Sequence, residues 1–451
     1  MTHRLSALLV LAAAAVSAAE PVAPLTLPAF LADRGIDRSG RAALADATTW
    51  DDEAQRAAIR VLARLRAPAE LWMRWQEGAR NLDAGPHEID DRLVRVGGRA
   101  VFVAPEPLTA EQARLLGGPR YDVVRVIADS GTAVDVLVAS APEAWARWQT
   151  IDEPVEAVGL PLSAAVGPRP GPSPADRSPW PEDRAALLLA AKSVAWHPAT
   201  PLGDRGVDCG LFATVVDGKG MQPGDTDAFY AVLAAVGRGP DAAGPPAAPT
   251  DIVPIISAGR RWFADNRGAP VTIVGTARRA TRIAVDDPVR RSQVGSDHYW
   301  ELFVFVDTPP IKVNDRDVQD TYPVVCCVRE LTTGMPTGDR ISERVRVDGF
   351  AFKCYSYPLA DVLISSSQGD REIKGDRMET ALVLGRRAAW TPPVSPARAT
   401  SILFWVFSGL TAAVAAVLAY GMWAMSRDAG GRARRARDEL PEKIRLPDGQ
   451  D

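Results

Sequence analysis

Cysteine and histidine are scarce, four of each in 451 residues. So few cysteines exclude a disulfide-built scaffold. Cys326 and Cys327 are adjacent, and Cys209 and Cys354 stand alone. CxxC, CxxCH and zinc-finger spacings are therefore missing. So are GxSxG, HExxH, phosphate-loop and GxGxxG patterns. Beyond the N-terminal segment only His87, His197 and His298 are left to serve as imidazole bases. Nor is there an excess of one charge: 52 basic residues against 56 acidic ones give a net charge of −4, which supplies no polyanion-binding field. The expectation is a protein without cofactor, metal or nucleic-acid partner, and not an enzyme.

What is present begins at the ends. Residues 1–19 combine His3 and Arg4, an apolar stretch from Leu5 to Val16, and small residues at Ala18 and Ala19, the layout of a secretory signal peptide. From Ser401 to Ala424 the chain is uncharged, about 36 Å as a helix and enough to cross a bilayer. Trp405 sits near one end of this stretch, Tyr420 and Trp423 near the other, where aromatic rings favour headgroups. Arg427, Arg432, Arg434, Arg435 and Arg437 follow it, so positive charge places the tail in the cytoplasm. The expected topology is single-pass and type I in the cytoplasmic (inner) membrane, with the bulk of the chain extracytoplasmic. Gly409 with Ala413, and Ala412 with Ala416, have small-xxx-small spacing, which permits self-association of the span.

Between the ends the chain repeats itself. "LADRGID" at Leu31–Asp37 is echoed by "LGDRGVD" at Leu202–Asp208, and later matches follow in the same order: Gly98 with Gly275, Asp129 with Asp307, Ile151 with Ile341, Trp196 with Trp390. Their separation drifts slowly, as a duplicated module would require. The one sizeable insertion falls in "TPPIKVNDRDVQDTYP", a polar, proline-containing stretch that reads as a loop. Each copy opens with a helix: "DDEAQRAAIRVLARL", with Thr49 and Asp52 spaced as a capping box, and "DTDAFYAVLAAVG". Strand-like runs follow, "RLVRVGGRAVFV" and "VTIVGTARRATRI", "YDVVRVIA" and "YWELFVFV", "AVDVLVA" and "PVVCCVRE". A fourth strand carries Gly159 or Gly349, and a fifth ends on Trp196 or Trp390. "APEAWARWQ" and "LTTGMPTG" are expected to form a turn or short helix between the third and fourth strands.

Five short strands with glycine inside the first and fourth suit a small Greek-key barrel, because glycine lets a strand bend where the barrel closes. The layout resembles the oligonucleotide/oligosaccharide-binding (OB) fold. "PVVCCVRELTTGMPTG" followed by "RVRVDGFAFK" also resembles the periplasmic haem chaperone of cytochrome c maturation, an OB barrel. That chaperone's haem-binding histidine motif has no counterpart near Trp390, so its activity does not follow. The "DRGID", "DHYWEL" and "VRELTTGMPTG" runs are similar to those of uncharacterised bacterial exported, membrane-anchored proteins.

The expected fold class is mainly β with helical arms (α+β): two tandem OB-like barrels, each preceded by a helical segment, plus one C-terminal transmembrane helix. The boundaries are a signal peptide at 1–19, a helical arm at 20–90, the first barrel at 91–198, and a second arm with a Pro/Gly linker at 199–269. The second barrel takes 270–392, a linker 393–400, the span 401–424 and the tail 425–451.

Candidate ligand residues gather in the second copy. Asp297, His298, Tyr299 and Trp300 lie on one strand, where alternation sets His298 and Trp300 opposite Asp297 and Tyr299. Arg278, Arg279 and Arg282 nearby suit phosphate or an anionic headgroup. Phe350 and Phe352 are expected on one face, Tyr355 and Tyr357 on the other. Asp33, Arg34, Gly35 and Asp37, with Asp204, Arg205, Gly206 and Asp208, read as a repeated structural turn before a helix. Cys326 and Cys327 align with Val136 and Leu137 as buried thiols, while a bond from Cys354 to one of them is the alternative. The function expected is a binding or assembly module with envelope protein partners. The alternative is an OB-type carrier of a cofactor or saccharide on the second barrel, and the third reading is a carboxylate-dependent hydrolase.

Overall fold

The computed structural model describes residues 25–438 except 46, 48, 83–88, 165–166, 169–179, 182–183, 239–247, 314–315, 319, 359–376 and 394–396. The signal peptide expected at 1–19, part of both expected linkers and the end of the tail lie outside the described residues.

Helices α1 (Leu27–Asp33), α2 (Ala42–Ala45), α3 (Asp52–Arg64) and α4 (Ala69–Glu77) come first. The cap of α3 is Asp51, whose carboxylate accepts from Glu53 N and Ala54 N. The capping box expected at Thr49 is thus displaced, because the acidic residue two positions on reaches both orphan amides itself. Ala54, Ala58, Ile59, Val61 and Leu62 form the buried face of α3.

Strands β1 (Arg80–Asn81) and β2 (Val94–Pro107) are followed by α5 (Ala110–Leu116), β3 (Arg120–Ala128), β4 (Ala133–Val138), β5 (Thr150–Ser163) and β6 (Leu187–Trp196). They make a six-stranded sheet in the order β1-β2-β3-β4-β6-β5, with a further pairing of β2 to β5. Then come α6 (Thr226–Arg238), α7 (Val253–Ala258), α8 (Arg260–Asn266), β7 (Pro270–Ala284), α9 (Pro288–Val294) and β8 (His298–Asp307). The hairpin β9 (Ile311–Val313) and β10 (Arg316–Val318) precedes β11 (Thr321–Leu331), β12 (Glu343–Pro358) and β13 (Arg377–Thr391). Strands β11-β13-β12-β7-β8 close a barrel, which fits the OB-like expectation. The hairpin replaces the loop expected in "TPPIKVNDRDVQDTYP".

From β2 and β7 onward the two β systems share neighbours strand for strand. β4 pairs with β6 in parallel as β11 does with β13, and the other matched pairings are antiparallel in both. Their register shifts also fall at matched places: Ala100/Phe102 with Ala277/Arg279, Ala157/Gly159 with Val347/Gly349, and Pro161/Ser163 with Ala351/Lys353. Helices α5 and α9 stand between the first and second strand of each set, capped by Thr109 and Asp287 and ended by left-handed Gly117 and Gly295. The segments between third and fourth strands are turns. Alternation does not reveal so short a helix, since α5 and α9 each bury one residue, Leu116 and Val294.

Each β system buries one cluster between its strands and another beneath its helices. Val304, Cys326 and Val383 lie inside the barrel, whereas Phe303, Cys327, Phe352 and Leu384 pack outside it against Phe229, Val232 and Leu233 of α6. In the first half Val96, Val124 and Val136 lie in one cluster, and Val123, Leu160 and Leu188 pack with Ile59 and Leu62. Fully burying such side chains contributes about 1.5–3 kcal/mol each.

Residues 392–451 form a separate unit. Its helix α10 (Ala397–Asp438) contains Phe404–Arg427, long and apolar enough to cross a membrane, at a mean hydropathy of 1.7. Phe404, Trp405, Leu410, Tyr420 and Trp423 expose more than half of their surface, as lipid-facing residues do.

Candidate functional site

The seven candidate residues of the second half divide among three places. Arg282, near the end of β7, reaches Asp297 at 3.0 Å and His298 Nδ1 at 3.1 Å, while Asp297 Oδ1 lies 2.5 Å from His298 Nδ1. His298 meets the Trp300 ring edge-on, with centroids 5.7 Å apart. The hydrogen bond from His298, then the charge of Arg282, hold Asp297 below the usual carboxylate range. Tyr299 turns the other way and packs on Phe229 of α6 at 5.4 Å, where burial pushes its hydroxyl pKa up. Arg278 and Arg279 lie over Phe305 and Phe303, at 4.3 and 5.3 Å, and Arg279 also meets Asp339 at 3.4 Å. These side chains do not converge on one point. Among the described residues no group of three or more His, Cys, Asp and Glu could hold a metal ion.

The repeated heptapeptide makes two matched turns. Gly35 and Gly206 have φ of 60° and 74°, a backbone that glycine adopts without steric cost. Ile36 N donates to Leu31 O, and Val207 N to Leu202 O. Asp37 accepts from Ser39 Oγ and Gly40 N, whereas Asp208 accepts from Gly210 N and Trp196 N. Arg34 and Arg205 lie over Phe30 and Phe350, while Asp33 meets Arg34 at 3.7 Å. The Asp204 amide bonds to Thr200 O.

The four cysteines are free and buried. Cys354 Sγ donates to Glu379 Oε2 at 3.4 Å, and Glu379 also pairs with Arg260. Burial, reinforced by Glu379, pushes the Cys354 thiol up to about 12. These groups line a pocket of about 340 Å³ with Phe263 and Thr380.

A larger cleft, about 800 Å³, opens where β6 passes into the second half. Trp196 lines it from the end of β6, Pro198 and Leu202 from the connecting segment, Phe212 from the 3₁₀ turn Cys209–Thr214, and Pro142 and Pro270 from either side. The Trp196 indole is fixed by a 2.7 Å bond to Glu153. Glu143 and Asp265 are exposed on its lining, while Arg267 is engaged by Asp217 at 2.7 Å. Burial, then the Asp208 charge, pushes the Cys209 thiol up to about 11. Sequence reasoning missed this cleft, although "HPATPLGD" after Trp196 carries two prolines between the halves, the composition of an ordered connector.

No family model and no curated protein matches the chain. A deletion variant of the single-stranded DNA-binding protein from Thermus aquaticus aligns at 9% identity, covering 67% of this chain and 97% of that one, with a TM-score of 0.15. A likeness of that size carries no argument about this chain.

Proposed function

We propose that the chain is a membrane-anchored extracytoplasmic binding module. In this reading a signal peptide exports it, α10 tethers it to the cytoplasmic membrane as a type I protein, and two OB-like barrels of common descent build its outer part. Its partner is an envelope protein that seats an apolar segment flanked by basic residues in the cleft beside Trp196 and Phe212. Catalysis has no part in it.

The carrying observation is the cleft itself: about 800 Å³ at the junction of the two halves, apolar in its walls and bordered by Glu143 and Asp265. Junctions of this kind are where binding sites concentrate, and the two carboxylates complement a cationic flank. Tethering holds the cleft at the bilayer and raises its effective concentration for other envelope components. Matched register shifts and turns support common descent. The indoles of Trp196 and Trp390 also bond to equivalent carboxylates, Glu153 and Glu343, at 2.7 and 2.6 Å.

The test fills the cleft. Ala213 lines it and is exposed, so Ala213→Trp occupies volume without disturbing a core. Full-length wild-type chain, purified in mild detergent from its own envelope and crosslinked, should retain a partner that Ala213→Trp loses. Equal recovery from both, with the crosslink mapping elsewhere, would overturn the reading.

A further inference from the structure

Three arginines meet on the outer face of the barrel, around one whose charge no carboxylate engages directly among the described residues. That one, Arg329, lies on β11, and Arg386 lies beside it on β13, because Val328 pairs with Gly385 and Glu330 with Arg387. Arg238 is the last residue of α6. The guanidinium of Arg329 rests on the final turn of α6, where a Cβ on Gly237 would come within 1.8 Å of Nη1. Glycine at 237 is what admits it.

Arg329 makes no side-chain hydrogen bond or ion pair among the described residues, and its Nε is buried without a partner. The adjacent carboxylate, Glu330, is committed to Arg387 at 2.9 Å. Burial, and then the charges of Arg386 and Arg238, hold the Arg329 guanidinium below its ordinary range against the pull of Glu330. A partly buried guanidinium held beside like charges with no carboxylate of its own is costly unless an anion joins it. In the first half the matching positions are Ala139 and Lys192, so the cluster belongs to the second alone.

We propose that Arg238, Arg329 and Arg386 form a binding site for a phosphate-type oxyanion, either inorganic phosphate or the phosphate of an anionic lipid headgroup. The planar guanidinium fork matches tetrahedral oxyanions and makes short, charge-assisted bonds to them. Arg329 supplies the fixed donor, and Arg238 and Arg386 close on the anion from α6 and β13.

The experiment uses the full chain in detergent micelles at low salt. Inorganic phosphate is titrated by calorimetry, and phosphatidylglycerol is compared with phosphatidylcholine by native mass spectrometry. Wild-type chain should bind phosphate, phosphatidylglycerol or both, saturably, and Arg329→Gln should weaken that binding roughly tenfold or more. Arg329→Lys, which keeps the charge but loses the fork, should fall between. Binding of phosphatidylglycerol without free phosphate assigns the site to the headgroup, and the reverse assigns it to the soluble anion. Failure of wild-type chain to bind either, or equal binding by the folded Arg329→Gln chain, overturns the proposal. Ala213→Trp should leave anion binding intact, so this result and the cleft test fail independently.

Discussion

Among single residues, Lys353 and Asp225 carry the clearest energetic commitment. Both side chains are fully buried, with Nζ 2.5 Å from Oδ2. Lys353 also donates to Gly220 O, while Asp225 accepts from Val216 N and Gln222 N. Removing one partner leaves an uncompensated charge in the interior, so Asp225→Ala should cost about 3–5 kcal/mol in urea unfolding. Asp225→Ala combined with Lys353→Met should recover part of that loss, and a double variant no better than the single one would show the charge was not the cause. The cysteines make a second prediction. A thiol pushed up to about 12 is thiolate at pH 8 in only about one molecule in ten thousand. The folded chain should therefore resist iodoacetamide at pH 8, with alkylation accelerating as pH rises, while the urea-unfolded chain takes four additions. A mass showing an internal disulfide would refute it. Alignment with Val136 and Leu137 makes buried thiols legible in the sequence at Cys326 and Cys327. The partner of Lys353 is not legible there, since Asp225 lies far away along the chain and is brought near by the docking of Gly218 and Lys219 along β12.

Strands call for a different test, because their glycines stand where neighbouring chains touch. A Cβ on Gly98 would lie 2.1 Å from Ile127 O, and one on Gly275 would lie 2.3 Å from Phe305 O. Neither carbonyl can retreat without breaking its ladder, so Gly98→Ala and Gly275→Ala should each destabilise by about 1–3 kcal/mol or more. Gly131 has a φ of 86°, and a Cβ added to it would meet nothing within 4 Å, so the same change there should cost only about 1 kcal/mol. Thermal melts in which all three variants fall together would contradict the close-approach account. At this scale the succession of strands along the chain is legible in the alternation and in the paired glycines. The bulges are not: a shift between Ala351 and Lys353 carries Tyr355 and Tyr357 to the side of Phe350 and Phe352, where strict alternation sets them opposite. An extra residue changes facing without changing composition. The candidate ligand residues scatter for a related reason, since the Ala277/Arg279 shift re-aims the basic run of β7.

For the whole molecule the property to test is the proposed attachment through α10. Within α10 the stretch Phe404–Arg427 carries apolar side chains on all faces, and a surface of that kind needs lipid or detergent. Deleting residues 392–451 removes the unit that follows the barrel and leaves both β systems with their cores whole. The shortened chain should appear in the soluble fraction after cell lysis, whereas the full chain should sediment with membranes and resist extraction at high pH. The proposed direction rests on charge: Arg427, Arg432, Arg434, Arg435 and Arg437 follow the apolar stretch, and a basic flank favours the cytoplasmic side. A fluorescent protein that matures only in the cytoplasm, fused after Asp451, should therefore glow, and one fused after Thr391 in the shortened chain should stay dark once exported. The opposite pattern would place both β systems in the cytoplasm and remove the envelope partner from the reading. A shortened chain that still sediments would instead mean that a second surface holds the protein to the bilayer, and the arginines around Arg329 would be the first place to look for it.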